Sequence, residues 1–343
     1  MRKRSWKRIL PPLLLACCVL PLSADSLYWS AGLDWAASPG PDASLGAIGV
    51  ANLDGSDQRV VYSSATRFAP YEIAIDSVTN QIFSTDVSFH QIEHLNLNGA
   101  GEQVISVGAS QLPQGIAIDS GAGKIYWADG TAGHIFRANL DGSGQETILS
   151  GLNPLSNIPG NMGGPNNLTL DTVNGKIYWI SSFDHTIMRA NLDGTGQQVI
   201  LSGLNEPSGL ALDANSGKIY WTDWDATIHV ANLDGSGAKT LMNAPSVLSY
   251  ANTWLALDIT AVKLFWGKTY LNAGVYEEIW SANLDGSNPQ EVVGGFSFLN
   301  DIAVGPDPVP ASTLPASVPE PATLGLAALG GLALACRKRI TNQ

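Results

Sequence analysis

The sequence predicts an all-β fold built from one repeated unit of about 40 to 50 residues. The unit is clearest in residues 217–237, where two strand-like runs flank a polar bend and a tight turn follows. This turn places Asp-Gly after an alternating apolar run, a strong hairpin signal because glycine adopts positive φ without a Cβ clash. Charged residues make up only 14% of the chain and there are 36 glycines, which suits a turn-rich β protein.

The turn recurs along the chain at regular intervals. Copies of Ala-Asn-Leu-Asp-Gly occupy 51–55, 138–142, 190–194, 231–235 and 282–286, and a degenerate copy occupies 95–99. Successive copies begin 41 to 52 residues apart. Repeats of this length with several strands each are typical of propeller blades.

Two strands precede the turns. An aromatic strand of the Ile-Tyr-Trp-Thr-Asp type lies at 27–30, 82–86, 125–129, 177–181, 219–223 and 264–267. A short, nearly all-apolar strand ending in aspartate precedes most of them, at 73–76, 116–119, 168–171, 210–213 and 255–258. Its composition predicts burial on both faces, as in the innermost strand of a blade.

The first copy lacks an innermost strand, and residues 301–304 form a spare one after the last copy. We therefore expect residues 299–304 to pair beside residues 26–30. The predicted fold is a six-bladed β-propeller with four-stranded blades, closed by pairing of the C-terminal strand with the N-terminal strands. Closure removes the open sheet edges that would otherwise invite aggregation.

These repeats resemble the YWTD β-propeller of the low-density lipoprotein receptor and its relatives (the receptor class B repeat). The resemblance covers residues 26–305, and residues 219–223 reproduce the Ile-Tyr-Trp-Thr-Asp motif in full. The copies at 82–86, 177–181 and 264–268 depart from it, and the modules that flank such propellers in animal receptors are absent. The resemblance implies a propeller over residues 25–305 from a non-enzymatic family.

The N-terminal residues 1–24 have the pattern of a signal peptide. Five basic residues precede the apolar run 9–22, and Ser23-Ala24 offers small residues for cleavage. A retained membrane anchor and lipoprotein processing at residues 14–17 are the alternatives. The signal peptide implies export of the domain that follows it.

The C-terminal part predicts a Pro-rich linker over 306–317 and a sorting tail over 318–343. The tail joins Val318-Pro319-Glu320-Pro321, an apolar run over 322–336 and a basic end over 337–339. Fifteen helical residues reach about 22 Å, short of a bilayer core of about 30 Å. The tail resembles the bacterial PEP-CTERM sorting signal, which implies processing by an exosortase, membrane attachment before tail processing, and delivery to the cell surface or extracellular matrix. A plain transmembrane helix as anchor is the alternative.

Charge and cysteine content exclude several kinds of partner and chemistry. Residues 25–318 contain 29 acidic and 10 basic residues, a balance that argues against nucleic acid or anionic lipid as the partner. The three cysteines lie at 17, 18 and 336. The repeats therefore use no disulfide, thiolate metal site or cysteine nucleophile.

The sequence contains no recognisable catalytic motif, and we predict no catalytic residue, no cofactor and no metal. His90 and His94 are four apart without a second ligand pair. His94 and His229 align with or beside the strand positions of Arg137 and Arg189, so we expect both at surface positions of strands. The chain has no nucleophile elbow, phosphate loop or His-Glu-x-x-His motif. Each Leu-Asp-Gly turn supplies one aspartate, which favours turn stabilisation over a calcium loop.

The predicted binding site is the channel mouth, where loops enter the innermost strands. One ring position around the six blades reads Asn300, Tyr71, Gln114, Asn166, Ser208 and Thr253, and the next reads Asp301, Glu72, Gly115, Asn167, Gly209 and Trp254. A polar first ring suits contact with a ligand or partner. A solvated channel mouth without a ligand is the alternative.

Two functions fit this arrangement. The first is a non-catalytic module of the cell surface that binds an unknown extracellular protein or polysaccharide, with Trp224, Trp254, Tyr71 and Tyr250 as contacts. The second is a metal-assisted hydrolase of the gluconolactonase type, with a cation held by Asp301, Glu72, Asn166 and Asn167. The absence of an identifiable general base and the non-enzymatic resemblance favour binding. Convergence of Asp301, Glu72 and Asn167 within reach of one cation would favour the hydrolase.

Overall fold

The computed structural model describes residues 25–32, 46–63, 70–108, 111–152, 164–225, 227–243, 254–270, 276–296 and 299–308. These residues form six four-stranded antiparallel sheets arranged as the blades of a ring. The predicted all-β, six-bladed propeller is confirmed. Within these residues, no helix has the length and apolarity needed to cross a membrane. The N-terminal signal, most of the linker and the sorting tail lie outside the described residues.

Each blade has the same strand order from the axis outwards, and the blades are numbered along the chain. Blade 1 contains β1 (Asp25–Gly32), β2 (Gly46–Asn52) and β3 (Arg59–Ser63), and its innermost strand is β24 (Leu299–Pro306). Blade 2 contains β4 (Ile73–Asp76), β5 (Gln81–Asp86), β6 (Gln91–Asn96) and β7 (Gln103–Ser106). Blade 3 contains β8 (Pro113–Asp119), β9 (Lys124–Asp129), β10 (His134–Asn139) and β11 (Glu146–Leu149).

The other three blades follow the same plan. Blade 4 contains β12 (Pro165–Asp171), β13 (Lys176–Ser181), β14 (Thr186–Asn191) and β15 (Gln198–Ser202). Blade 5 contains β16 (Pro207–Asp213), β17 (Lys218–Asp223), β18 (Thr227–Asn232) and β19 (Lys239–Asn243). Blade 6 contains β20 (Leu255–Asp258), β21 (Lys263–Tyr270), β22 (Tyr276–Asn283) and β23 (Gln290–Phe296).

Ring closure occurs where the sequence predicts it. Strand β24 pairs antiparallel with β1, in a register that places Asp25 opposite Pro306 and Ser30 opposite Asp301. The C-terminal strand therefore supplies the innermost strand that the first repeat lacks. A register shift after Ser30 marks the mouth side of this pair.

The strand directions define two ends of the ring. The mouth end is where the innermost strands begin, at Leu299, Ile73, Pro113, Pro165, Pro207 and Leu255. The exit end is where they finish, at Pro306, Asp76, Asp119, Asp171, Asp213 and Asp258. Because successive strands of a blade are antiparallel, the Asp-Gly turns between third and fourth strands also lie at the exit end.

The core lies between neighbouring blades and explains the aromatic pair of the repeat. Adjacent residues of a strand point to opposite faces of the sheet, so Tyr and Trp meet different neighbours. Tyr126 of blade 3 packs in one cluster with Trp179 of blade 4, whereas Trp127 packs with Phe83 of blade 2. Five of the six blades contribute one large aromatic side chain of the second strand to the seam on either side, whereas blade 2 has Ser84 at the tryptophan position.

The Asp-Gly turns are held by hydrogen bonds of their own aspartates. Asp234 Oδ1 accepts hydrogen bonds from the Ser236 amide at 2.9 Å and hydroxyl at 2.6 Å. The same pair of bonds forms at Asp54, Asp141, Asp193 and Asp285. These bonds confirm the predicted role of the aspartates in stabilising turns.

Candidate functional site

The predicted ring residues lie together at the mouth end. Gln114 is in β8, Asn166 and Asn167 are in β12, Ser208 is in β16, and Asn300 and Asp301 are in β24. Tyr71 and Glu72 directly precede β4, and Trp254 directly precedes β20. Thr253 and Tyr250 lie outside the described residues. Trp224 lies in the turn after β17, at the mouth end but outside the ring.

The second ring position forms a chain of hydrogen bonds from blade to blade. The Ile73 amide donates to Asp301 Oδ2 at 2.8 Å, and the Ile116 amide donates to Glu72 Oε2 at 3.2 Å. The Asn167 amide also donates to the Glu72 carboxylate, and Asn167 Oδ1 accepts from the Leu210 amide at 3.1 Å. Side chains at this level therefore bond the start of the next innermost strand.

Gly115 is a steric requirement of this arrangement. A Cβ at Gly115 would lie 2.8 Å from the Asn167 nitrogen, which is closer than any side chain permits. The absence of a side chain lets β8 and β12 approach, so that Glu72 reaches across blade 3 to blade 4. Asn167 has a φ of 44° and lies at an irregularity in the β12 register, a conformation that asparagine tolerates better than most residues.

The two carboxyl groups of the ring are buried, and no basic side chain of the described blades pairs with either. Glu72 is 7% exposed and Asp301 is 9% exposed. Burial raises the pKa of Asp301 to about 8, although backbone amides of Ile73 and Ile302 donate to it. Burial, and then the charge of Asp301, raise the pKa of Glu72 well above its ordinary value. The pair therefore retains a proton near neutral pH.

Tyr71 lies beside this pair and stays neutral. Burial, followed by the charges of Glu72 and Asp301, raises the pKa of the Tyr71 hydroxyl to about 12. This part of the mouth thus combines two carboxyl groups that favour protonation with one phenol that does not ionise in the physiological range.

The first ring position leaves polar atoms without partners among the described residues. Gln114 is 1% exposed, and neither its amide oxygen nor its amide nitrogen has a hydrogen-bond partner there. Asn166 Nδ2 donates to Ser182 Oγ at 3.0 Å, whereas its buried Oδ1 has no partner in the same set of residues. By contrast, Asn300 Nδ2 donates to the Pro70 carbonyl at 3.1 Å. The amide atoms without partners among the described residues thus belong to Gln114 of blade 3 and Asn166 of the neighbouring blade 4.

The oxygens that the hydrolase hypothesis assigns to a cation take part in hydrogen bonds between blades. Asp301 Oδ2, Glu72 Oε2 and Asn167 Oδ1 accept hydrogen bonds from backbone amides of different blades. Within the described strands and turns, no group of three or more His, Cys, Asp or Glu side chains is placed to hold a metal ion. The oxygens of this ring are used to join blades.

The structure corrects two expectations about individual side chains. Trp254 is buried in one core cluster with Trp29 and Phe265, so its indole does not offer a contact surface. His94, expected at the surface, is buried and stacks on Phe83 with ring centroids 5.0 Å apart. Both residues occupy positions whose exposure depends on the neighbouring strands and blades.

Two exposed aromatic side chains at the mouth end were missed by sequence reasoning. Phe89 follows β5 and Phe183 follows β13, and each is about half exposed. Each stands in a turn with a positive-φ histidine, His90 at 57° and His185 at 51°. The available signal was a phenylalanine in a polar turn, one or two residues before a histidine that tolerates positive φ.

Comparison with protein families identifies the C-terminal tail. Residues 317–339 match the PEP-CTERM protein-sorting motif, as the resemblance in the sequence implied. The motif indicates an exported surface protein that is anchored in the membrane before an exosortase-type enzyme processes it. The match covers the tail and leaves the propeller to be compared by structure.

Solved structures support the propeller fold at low sequence identity. A chain of a nidogen/laminin complex matches with a TM-score of 0.65 and 19% identity, covering 83% of this chain and all of that one. Putative TolB from Agrobacterium tumefaciens matches with a TM-score of 0.57 and 12% identity, covering 84% and 99% of the two chains. TolB from Acinetobacter baumannii matches with a TM-score of 0.61 and 12% identity, covering 83% and 67%. The chain is thus similar in fold to these propellers and carries a PEP-CTERM sorting motif at its C-terminal end.

Proposed function

We propose that this protein is exported by its N-terminal signal and binds an extracellular protein or polysaccharide through the channel mouth, without catalysis. The sorting motif delivers the propeller to the cell surface, and the rigid ring presents the binding residues. The binding residues are Tyr71, Glu72, Gln114, Asn166, Asn167, Ser208, Trp224, Thr253, Asn300 and Asp301.

The observation that carries this proposal is the unpaired amide of Gln114. A buried polar group without a partner costs about 1–3 kcal/mol, and among the described residues Gln114 lacks a partner for both amide atoms. A ligand that donates to one atom and accepts from the other would recover this cost, and because Gln114 is 1% exposed this requires its side chain to move towards the mouth. Asn166 Oδ1 on the adjacent blade adds a second acceptor without a described partner.

Two further observations support a binding role. Trp224 and Phe183 stand in mouth-end turns of adjacent blades, and aromatic residues are enriched in protein interfaces. One of the similar propellers was solved in a complex of two proteins, nidogen and laminin. A propeller of this shape is therefore compatible with recognition of another protein.

The proposal is tested by capture from the surface of the producing cells. A photo-crosslinking residue replaces Phe183 at the mouth end or Val173 at the exit end of the same blade, and the crosslinked species are compared. We expect a discrete adduct from the Phe183 position and none from Val173. Adducts from Val173 alone would contradict the proposal.

The affinity of the captured partner then tests the ring. Gln114→Leu removes both amide atoms at similar volume, and we expect at least tenfold weaker binding. A matched change outside the mouth, Gln103→Leu at the exit end of β7, should leave the affinity within twofold. Equal affinity of Gln114→Leu and the parent protein would show that the first ring does not contact the partner.

A further inference from the structure

Both ends of the described domain lie at the exit end, opposite the mouth. Strand β24 runs from the mouth end to the exit end and finishes beside the start of β1, where Asp25 pairs with Pro306. The polypeptide that continues to the sorting tail therefore leaves the ring at the exit end of blade 1.

Three contacts fix this departure point. Tyr28 Oη donates to the Pro306 carbonyl at 2.6 Å. Arg59 Nη2 forms an ion pair with Asp307 Oδ1 at 3.0 Å, and Ser26 Oγ donates to the same oxygen at 3.3 Å. Side chains from β1 and β3 thus hold the last two residues before Pro308 on the exit end.

The linker limits how the ring can be oriented while the tail is in the membrane. Fourteen residue steps separate Pro308 from the start of the apolar run at Ala322, which gives a reach of about 43 Å in the extended conformation of Pro-rich chains. Turning the mouth to the membrane requires this linker to pass along blade 1, whose strands of five to eight residues are about 16 to 26 Å long. The linker would then use about half of its reach to pass along the side of the ring, and fewer linker conformations would remain accessible.

From this chain path we propose that the membrane-attached protein turns its exit end towards the lipid and its mouth away from the cell. A partner can then reach the mouth before the tail is processed. The inference rests on the sorting motif and on the departure point of the chain, and it is independent of what the mouth binds.

Charge does not distinguish the two ends of the ring, although their basic residues are distributed unevenly. Six described strands begin with a basic residue at the exit end, namely Arg59, Lys124, Lys176, Lys218, Lys239 and Lys263. Among the described residues of the mouth end, Lys268 is the one lysine or arginine, whereas acidic side chains include Glu72, Asp184, Glu206, Asp223, Asp225 and Asp301. The exit end, however, also carries the turn aspartates Asp54, Asp141, Asp193, Asp234 and Asp285 and the strand-end aspartates Asp76, Asp119, Asp171, Asp213 and Asp258. Both ends are therefore acidic, and the inferred orientation rests on the path of the chain.

Thiol labelling can measure the orientation because residues 25–308 contain no cysteine. Val173 and Phe183 lie at opposite ends of the β12–β13 hairpin and are 79% and 51% exposed. Val173→Cys and Phe183→Cys are made separately in the full chain with Cys336→Ser. Each is labelled with a polyethylene glycol maleimide in right-side-out spheroplasts, before and after detergent releases the protein.

We expect detergent to raise the labelling rate of Val173→Cys at least fivefold and that of Phe183→Cys less than twofold. Equal acceleration of both, or a larger acceleration of Phe183→Cys, would overturn the inference. Val78→Cys and Phe89→Cys in blade 2 repeat the comparison with a second hairpin, in case a variant of blade 4 fails to fold. This measurement does not depend on partner binding, so its result tests the orientation separately from the proposed function.

Discussion

Asp301 in the closing strand accepts a hydrogen bond from the backbone amide of Ile73, 2.8 Å away, at the start of blade 2. The two residues are 228 positions apart in the chain. Since β24 also pairs with β1, the C-terminal strand is bonded to both blades that it joins. Asp301 therefore contributes to closure of the ring as well as to the mouth.

Replacing Asp301 should separate its hydrogen-bonding role from its charge. Asp301→Ala leaves the buried Ile73 amide without an acceptor, and we expect the free energy of unfolding to fall by about 1–3 kcal/mol. Asp301→Asn keeps a carbonyl oxygen in place and should cost less than about 1 kcal/mol at neutral pH. Urea denaturation of the purified variants measures both values.

The asparagine variant is the control for this experiment. Equal destabilisation by alanine and asparagine would mean that the Ile73 amide does not depend on Asp301 as an acceptor. Greater stability of Asp301→Asn than of the parent at high pH would agree with the burial of an ionisable group.

The acid pair predicts a distinct pH dependence of stability. Folding raises the pKa of Asp301 from 3.8 to about 8 and also raises that of Glu72. The native state therefore binds more protons than the unfolded state between about pH 4 and pH 8, and the free energy of unfolding falls as pH rises through this window. Each proton contributes up to about 1.4 kcal/mol per pH unit.

Thermal unfolding between pH 4.5 and 8.5 tests this sign. We expect the melting temperature to decline as pH rises, and the double variant Glu72→Gln with Asp301→Asn to flatten the decline. Tyr71 does not contribute, because its pKa of about 12 lies above this range. A parent protein that becomes more stable from pH 5 to pH 8 would contradict the prediction.

The turn aspartates act in the opposite direction at lower pH. Hydrogen bonds from the following serine or threonine lower the pKa of Asp54, Asp141, Asp193, Asp234 and Asp285. Their contribution is present above the ordinary aspartate pKa and is lost as pH falls below it. Asp234→Asn should therefore leave the slope between pH 4.5 and 8.5 unchanged, which makes it a matched control for the ring variants.

Sequence spacing was sufficient to predict the blades and the closing strand but not the bonds between blades. Residues 299–304 could be paired with 26–30 because an unpaired strand at one terminus matched a missing strand at the other. The link from Glu72 to Ile116 and Asn167 depends on how closely innermost strands approach around the axis. That distance is set by Gly115, whose role is apparent only once blades 3 and 4 are side by side.

The solvent exposure of individual side chains was also not predictable from sequence spacing. Trp254 and His94 occupy strand-end and strand positions that sequence periodicity places correctly. Their burial depends on side chains of other strands: Trp29 and Phe265 pack with Trp254, and Phe83 stacks on His94. The unpaired amide of Gln114 is likewise a property of the assembled mouth and not of any local pattern.

Gly175 and Gly194 of blade 4 both have a positive φ, but they differ in whether an added side chain would clash with a neighbouring blade. Gly175 has a φ of 64°, and a Cβ added there would meet no described atom within 4 Å, whereas Gly194 has a φ of 83° and would place its Cβ 1.9 Å from the Ile148 carbonyl oxygen. Gly175→Ala should cost only the left-handed conformation, about 1–2 kcal/mol. Gly194→Ala carries this cost and also forces blade 4 away from the outer strand of blade 3, so we expect a loss of more than about 3 kcal/mol.

Urea denaturation and amide hydrogen exchange together test this difference. Gly194→Ala should increase exchange in β11 of blade 3, because Ile148 must move, whereas Gly175→Ala should leave β11 unchanged. If the two alanine variants lost equal stability and neither affected β11, the Asp-Gly turns would serve only to reverse the chain. A larger effect of Gly194→Ala on β11 would establish these turns as contacts that hold neighbouring blades together.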